Sequence, residues 1–431
     1  MAASHTRPNT LRRCALVVLS PLLVWVAIGF SSPAMGGEAV CPAAVDSAKR
    51  GAAYHFCGWP FVSGEADLRA MQQGLAWTYN WSSRPLTCAA GDGVDQTIGK
   101  TSVEFVPMVW GLVDDGAACA AEGPCFRVDE RNGGVRCRKV CEANDWSFNP
   151  NGACYACYHE PVSRGAFVAD VPTGSKHLLG FNEPNFKEQA NLSPESAARG
   201  WRHVQWVADQ RGLGLVGPAT NFCDPTPGVM HAGACIEAID GRTMLGLAWL
   251  ETFYDACTAK GAAGFDCRID HQAVHAYGCT EVTSMIDRMK RKAGLSPPID
   301  AHCTNGIHDE DEFGVDCGGN ACVACSEHAR AQFGKPVWLT EFAAESTGCG
   351  EEDTAAVKAR TERFLREQLT KLEQDPYVYR YAWFMPKTDM PALDHVDLLV
   401  QEEAGMLSPL GKVYFGEACR AQPRGTGRRR R

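Results

Sequence analysis

The sequence predicts an α/β protein, a (β/α)8 TIM barrel with two cysteine-rich loop insertions. Three observations lead there. Eight short apolar runs recur along the chain, amphipathic helical stretches separate several of them, and a glutamate closes the fourth and the seventh. The 431 residues, 45% of them apolar, suit a barrel, which routinely passes 200 residues as one domain.

The first 36 residues read as an export signal. Arg12 and Arg13 precede an uncharged run, residues 15–30, and small residues follow at Ser31, Ser32, Ala34 and Gly36. A retained anchor competes, but the run is short for a span of about 20 residues. Residues 37–420 are then the barrel domain and residues 421–431 a basic tail ending in four arginines.

The eight runs are residues 51–54, 75–81, 104–111, 177–185, 213–221, 271–278, 336–343 and 379–385. Near-continuous apolar runs fit strands covered on both faces, as in a parallel sheet. Residues 193–210 predict a helix, with Ser193 as cap, Pro194 at its first position and an apolar face of Trp201, Val204 and Val207. Residues 353–374 predict a second, with a stripe of Ala356, Val357, Phe364, Leu365 and Leu369. On periodicity alone a doubly wound sheet stays open.

Residues 112–160 and 301–327 break the rhythm. They hold six and four cysteines, are poor in apolar residues, and need cross-links in place of a core. The first follows the third run and is expected to rise from the C-terminal face of the barrel. The chain has 21 cysteines, of which Cys14 lies in the expected signal. An even 20 in an exported chain points to disulfides, with zinc competing at the CxxC pairs Cys154/Cys157 and Cys322/Cys325. The acidic stretch Asp309–Glu312 with Asp316 lacks calcium-loop spacing and reads as a solvated loop. Asn80 and Asn191 begin glycosylation sequons, which matter only in a eukaryotic host and where the asparagines are exposed.

Loss of residues 1–36 removes three arginines and no acids, taking the formal charge from −9 to −12. So acidic a body repels nucleic acid. No GxSxG elbow and no HExxH motif occurs, which disfavours a serine esterase and a zincin. No cofactor and no metal is implied.

Glu183 and Glu341 fall at the C-terminal ends of the fourth and seventh runs, on the face where barrels place active sites. Glycoside cleavage needs such a pair: one carboxylic acid to protonate the departing oxygen, one carboxylate to attack the anomeric carbon or activate water. Trp81, Trp110 and Trp383 are candidate sugar platforms. Trp249 is equally a core residue. Asn182, Asn221 and His275 are further candidates for substrate contact, and Tyr277 can orient a carboxylate.

At these residues the chain resembles the alkali-sensitive-linkage-type glycosyl hydrolase catalytic domain, glycoside hydrolase family 128. The likeness rests on Lys49-Arg50-Gly51, the YNW of 79–81, FVPMVWG at 105–111, GFNEPN at 180–185, GPATN at 217–221, HAY at 275–277 and WLTEFA at 338–343. The resemblance implies Glu183 as acid/base, Glu341 as nucleophile, Asn182 at the sugar 2-hydroxyl, net retention and a β-1,3-glucan substrate. Neither insert belongs to the family pattern. The expectation is a secreted or wall-bound monomer, an endo-β-1,3-glucanase without stable membrane association. A non-catalytic glucan-binding or wall protein on the same barrel is the alternative, and the intact pair of glutamates argues against it.

Overall fold

The computed structural model describes residues 47–54, 64–85, 98–113, 124–127, 137–139, 155–157, 161–223, 235–238, 241, 243–345, 349, 354–388 and 391–416. The expected signal and the basic tail lie outside them. Eight parallel strands form one sheet: β1 (Arg50–Ala53), β2 (Trp77–Tyr79), β3 (Glu104–Phe105), β4 (His177–Leu179), β5 (Gly214–Thr220), β6 (His271–Gly278), β7 (Val337–Ala344) and β8 (Val378–Phe384). Their order is β3-β2-β1-β8-β7-β6-β5-β4. The chain just beyond β3 closes the circle, because Leu179 N–H donates to Pro107 C=O at 2.9 Å and Val109 N–H to Leu179 C=O at 3.0 Å. Each of the eight apolar runs thus supplies one barrel strand. The doubly wound alternative fails on that closure.

The helices cover the outside. Those that bear on the argument are α1 (Gly64–Met71), α2 (Arg164–Asp170), α3 (Pro194–Arg211), α4 (Gly246–Ala256), α5 (Thr283–Lys292), α6 (Glu327–Phe333), α7 (Thr354–Gln374) and α8 (Pro409–Tyr414). In α3 the Ser193 hydroxyl accepts from Ser196 N–H, Pro194 opens the helix, and Gly212 ends it at φ 64°. Trp201, Val204 and Val207 are fully buried, as are Leu365 and Leu369 of α7. Trp249 is core: it is buried, stacks on Phe253 and donates to Leu192 C=O at 2.8 Å. Gly51 has a packing reason, since a Cβ there would stand 2.3 Å from the Trp77 ring.

At the N-terminal end of the barrel, Glu104 forms an ion pair with Arg380 at 2.8 Å and a hydrogen bond with His177 Nδ1 at 2.9 Å. Although burial works against it, the hydrogen bond from His177 and the charge of Arg380 hold the carboxyl down at about 2. Opposite, Arg380 lies 4.7 Å over the Trp338 ring. This end is knitted for stability.

The first insert leaves the C-terminal side of β3. Gly111–Val113 pairs antiparallel with Cys125–Arg127, and that segment pairs with Pro161–Val162. This small sheet packs outward on the helices: Phe126 meets Phe167 of α2 edge-on, and Leu112 fills the space that a side chain at Gly200 of α3 would take. Cys137–Lys139 and Tyr155–Cys157 form a separate antiparallel pair.

The second insert clamps onto α4 and α5. Asn320 Oδ1 accepts from Leu247 N–H at 3.0 Å, Cys325 N–H donates to Glu251 at 2.7 Å, and Lys292 bonds both Glu251 and Gly319 C=O. Its disulfides are Cys303–Cys322 and Cys317–Cys325. Those bridges commit both cysteines of the Cys322/Cys325 pair to different partners, which removes the zinc reading there. Elsewhere among the described residues, Cys223 is bridged to Cys235, Cys257 to Cys267 and Cys279 to Cys349. No helix among those residues is long and apolar enough to cross a membrane.

Candidate active site

The fourth run leaves β4 as Asn182-Glu183-Pro184-Asn185. Phe186 N–H donates back to Glu183 C=O at 2.9 Å, so Pro184 takes the second position of a β-turn, which its fixed φ favours. Glu183 itself has φ 42°, and Trp81 beyond β2 has φ 60°. Non-glycine residues adopt this left-handed region at a cost of about 1–3 kcal/mol, and such positions cluster at functional sites. Glu183 N–H is anchored on Ala219 C=O of β5 at 2.8 Å.

Glu341 lies within β7, directly opposite His275 of β6 in the ladder. Both glutamates are almost fully buried. Three side chains donate to Glu341: Trp81 Nε1 to Oε1 at 2.8 Å, Tyr79 OH to Oε1 at 3.0 Å and Tyr277 OH to Oε2 at 2.5 Å. Burial and the neighbouring Glu341 raise both tyrosine pKa values well above the ordinary value, so both stay protonated donors. Glu183 Oε1 accepts from Asn221 Nδ2 at 2.7 Å.

His275 joins the two. Its Nδ1 stands 2.8 Å from Glu183 Oε1 and 3.3 Å from Glu341 Oε2. Carboxylate oxygens of the two glutamates and a histidine nitrogen all lie within 4.8 Å of one another. Burial lowers the His275 pKa, but Glu341 and Glu183 outweigh it and raise it. Burial raises the Glu341 pKa and Glu183 adds to the push. His275 and the Tyr277 and Trp81 hydrogen bonds pull it back, and the balance is upward.

The structure therefore gathers Trp81, Asn221, His275 and Tyr277 around the carboxylates themselves. Asn182 donates through Nδ2 to Gln189 at 3.2 Å, and its buried Oδ1 has no hydrogen-bond partner among the described residues. Trp110 is buried beside it, its C=O accepting from Asn182 N–H at 2.9 Å.

Trp383 is a correction. It is fully buried on the outer side of β8, edge-on to Phe342 at 5.0 Å and tilted against Phe364 of α7 and Tyr414 of α8. Its Nε1 donates to Val396 C=O. The neighbouring Phe384 faces the site instead, edge-on to Trp81 at 5.9 Å and Tyr277 at 5.6 Å. Successive strand residues point to opposite faces, and only one of the two can look inward.

The Asn80 sequon does not meet the exposure that glycosylation requires. Asn80 is 1% exposed, donates to Arg84 C=O and accepts from Ser82 N–H, so its amide is out of reach in the folded protein. Asn191 is exposed. Sequence reasoning passed over Tyr79, Asn185 and Phe384. A signal existed for Tyr79, which stands in the same apolar run two residues before Trp81.

Comparison with known proteins follows the same outline. The glycosyl hydrolase catalytic core profile matches residues 51–123, 156–299 and 321–414. Its gaps, 124–155 and 300–320, fall within the two cysteine-rich inserts or at their edge. Alkali-sensitive linkage protein 1 of Schizosaccharomyces pombe is 23% identical over 251 residues, 58% of this chain and 34% of that protein. The chain thus spans about a third of the length of that curated relative. Two solved structures are each 27% identical to the chain, both subgroup II endo-β-1,3-glucanases of glycoside hydrolase family 128. The one from Sorangium cellulosum has a TM-score of 0.51, over 85% of this chain and 97% of its own. The one from Pseudomonas viridiflava has a TM-score of 0.50, over 86% and 98%.

Proposed function

The chain belongs to the glycosyl hydrolase catalytic core family, and from that premise we propose that it cleaves β-1,3-glucan by double displacement with net retention. Glu341 attacks the anomeric carbon and Glu183 gives its proton to the departing glycosidic oxygen. The resulting glycosyl ester is then opened by water, whose proton returns to Glu183.

The observation that carries this reading is the spacing of the two carboxylates, oxygens of which approach within 4.8 Å. Retaining enzymes keep their carboxyl groups about 5–5.5 Å apart, whereas inverting enzymes need roughly 6.5–9.5 Å to seat a water between them. The roles follow from the partners. Trp81, Tyr79 and Tyr277 hold Glu341 rigid by hydrogen bonds that suit a charged nucleophile. The Asn182 Oδ1, without a partner among the described residues, is an acceptor suited to a sugar 2-hydroxyl.

The β-1,3 linkage and endo action are read from the two subgroup II relatives. The disulfides support an exported protein, secreted or held in a wall. The test is to incubate purified protein with laminarin, curdlan, lichenan and cellulose, follow product lengths by chromatography, and read the first anomer released by proton NMR. Early mixed-length products from laminarin with the β-anomer first are expected. Release of the α-anomer first would reject retention, and cleavage of cellulose alone would reject the substrate.

A further inference from the structure

Behind Glu183 stands a pair of asparagines that the reaction as written leaves unused. Asn185, fully buried, occupies the third position of the Glu183–Phe186 turn. Its carboxamide crosses to the end of β5 and takes both backbone groups of Asn221. Oδ1 accepts from Asn221 N–H at 3.2 Å, and Nδ2 donates to Asn221 C=O at 2.9 Å. Asn185 is held in turn, because Ile236 N–H donates to its C=O at 2.8 Å, and Cys223, bridged to Cys235, lies 3.6 Å from Nδ2.

A side chain that occupies the N–H and the C=O of one residue fixes that residue much as a strand neighbour would. The side chain of Asn221 is oriented too. Phe222 N–H donates to its Oδ1 at 2.7 Å, which leaves Nδ2 to face Glu183 at 2.7 Å. The chain of contacts runs from a β-turn to a backbone clasp, and from the clasp to the carboxylate.

We propose that Asn185 is a positioning residue for proton transfer: by clasping the backbone of Asn221 it aims that side chain at Glu183 and fixes the carboxyl toward the leaving oxygen. The proposal rests on the acid/base role of Glu183 argued above. A displacement of about 1 Å at a reacting group costs roughly a hundredfold in rate.

The test compares wild type, Asn185→Ala, Asn221→Ala and the double variant by kcat/KM on two substrates. Laminari-oligosaccharides have a sugar leaving group that needs a proton. A dinitrophenyl β-laminaribioside leaves as a phenolate and needs none. Asn185→Ala should lose about ten- to a hundredfold on the oligosaccharide and less than about threefold on the aryl substrate. The double variant should be no worse than Asn221→Ala alone, because Asn185 acts through Asn221. Equal losses on both substrates, or losses that multiply in the double variant, would assign Asn185 to folding alone. Asn185→Asp keeps the acceptor for Asn221 N–H and covers the case in which the alanine variant does not fold: it should show the same selectivity with a smaller loss, and equal losses would again overturn the proposal. Wild type that cleaves neither substrate would instead sink the assigned function.

Discussion

His275 and Glu341 sit opposite each other across the β6–β7 ladder, and this single register position puts the imidazole Nδ1 within reach of both buried glutamates. The two carboxylates raise the His275 pKa above its ordinary 6.5. A raised histidine contributes stability that is complete below the unfolded pKa and lost as pH rises through the folded one.

His275→Ala should therefore destabilise most on the acid side of neutrality. Removing one partner of a buried pair costs about 3–5 kcal/mol. Urea unfolding of wild type and variant between pH 5.5 and pH 9 reads the gap, which should narrow as pH rises. A gap constant over that range would mean that the histidine stays neutral in the fold.

The two glutamates should fail differently when removed. Each alanine variant is expected to lose activity on glucan, Glu183→Ala by about 10²–10⁴-fold. With an activated leaving group, azide should rescue Glu183→Ala and give the β-azide after two inversions. In Glu341→Ala, azide entering beneath the ring should give the α-azide after one. Proton NMR of the products decides, and reversed configurations would exchange the two roles.

Trp383 and Phe384 should separate folding from turnover. Trp383→Ala opens a cavity between β8 and the α7–α8 layer and should cost about 3–5 kcal/mol while the folded fraction keeps its specific activity. Phe384→Ala should lower kcat/KM with a small change in melting temperature, since its ring braces Trp81 and Tyr277. The opposite pattern would return Trp383 to the cleft.

Glu104 should set the acid limb of stability. Its carboxyl is depressed to about 2 from 4.5, so its contribution is present above pH 4.5 and lost as pH falls through about 2. Glu104→Gln should flatten that part of the curve of unfolding midpoint against pH. An unchanged slope would show that other carboxylates govern acid unfolding.

Expressed in a glycosylating host, the protein should carry a glycan at Asn191 and none at Asn80. Peptide mass spectrometry after deamidating glycan release distinguishes the two. A glycan on Asn80 in folded, active protein would contradict its burial.

What the sequence determined by itself was the barrel and the place of its chemistry. Eight apolar runs can be buried on both faces only in a closed parallel sheet or an open doubly wound one, and a glutamate at a strand end has one face of the barrel to reach. That much follows from local pattern, and it singled out Glu183, Glu341, Asn182, Asn221, His275 and Tyr277 as candidates. Which side each aromatic of a strand faces did not follow. Alternation carries no signal where both faces of a strand are apolar, as in the run holding Trp383 and Phe384. The β6–β7 and β7–β8 ladders also shift register midway, so counting by twos fails across them. Only the tertiary structure could decide that Trp383 packs outward while Phe384 takes the inner face. The same holds for the clasp of Asn185 on Asn221 and for Trp81 as a hydrogen-bond donor to Glu341. Those contacts join residues 36 and 260 positions apart, and nothing in the neighbourhood of either residue announces the other.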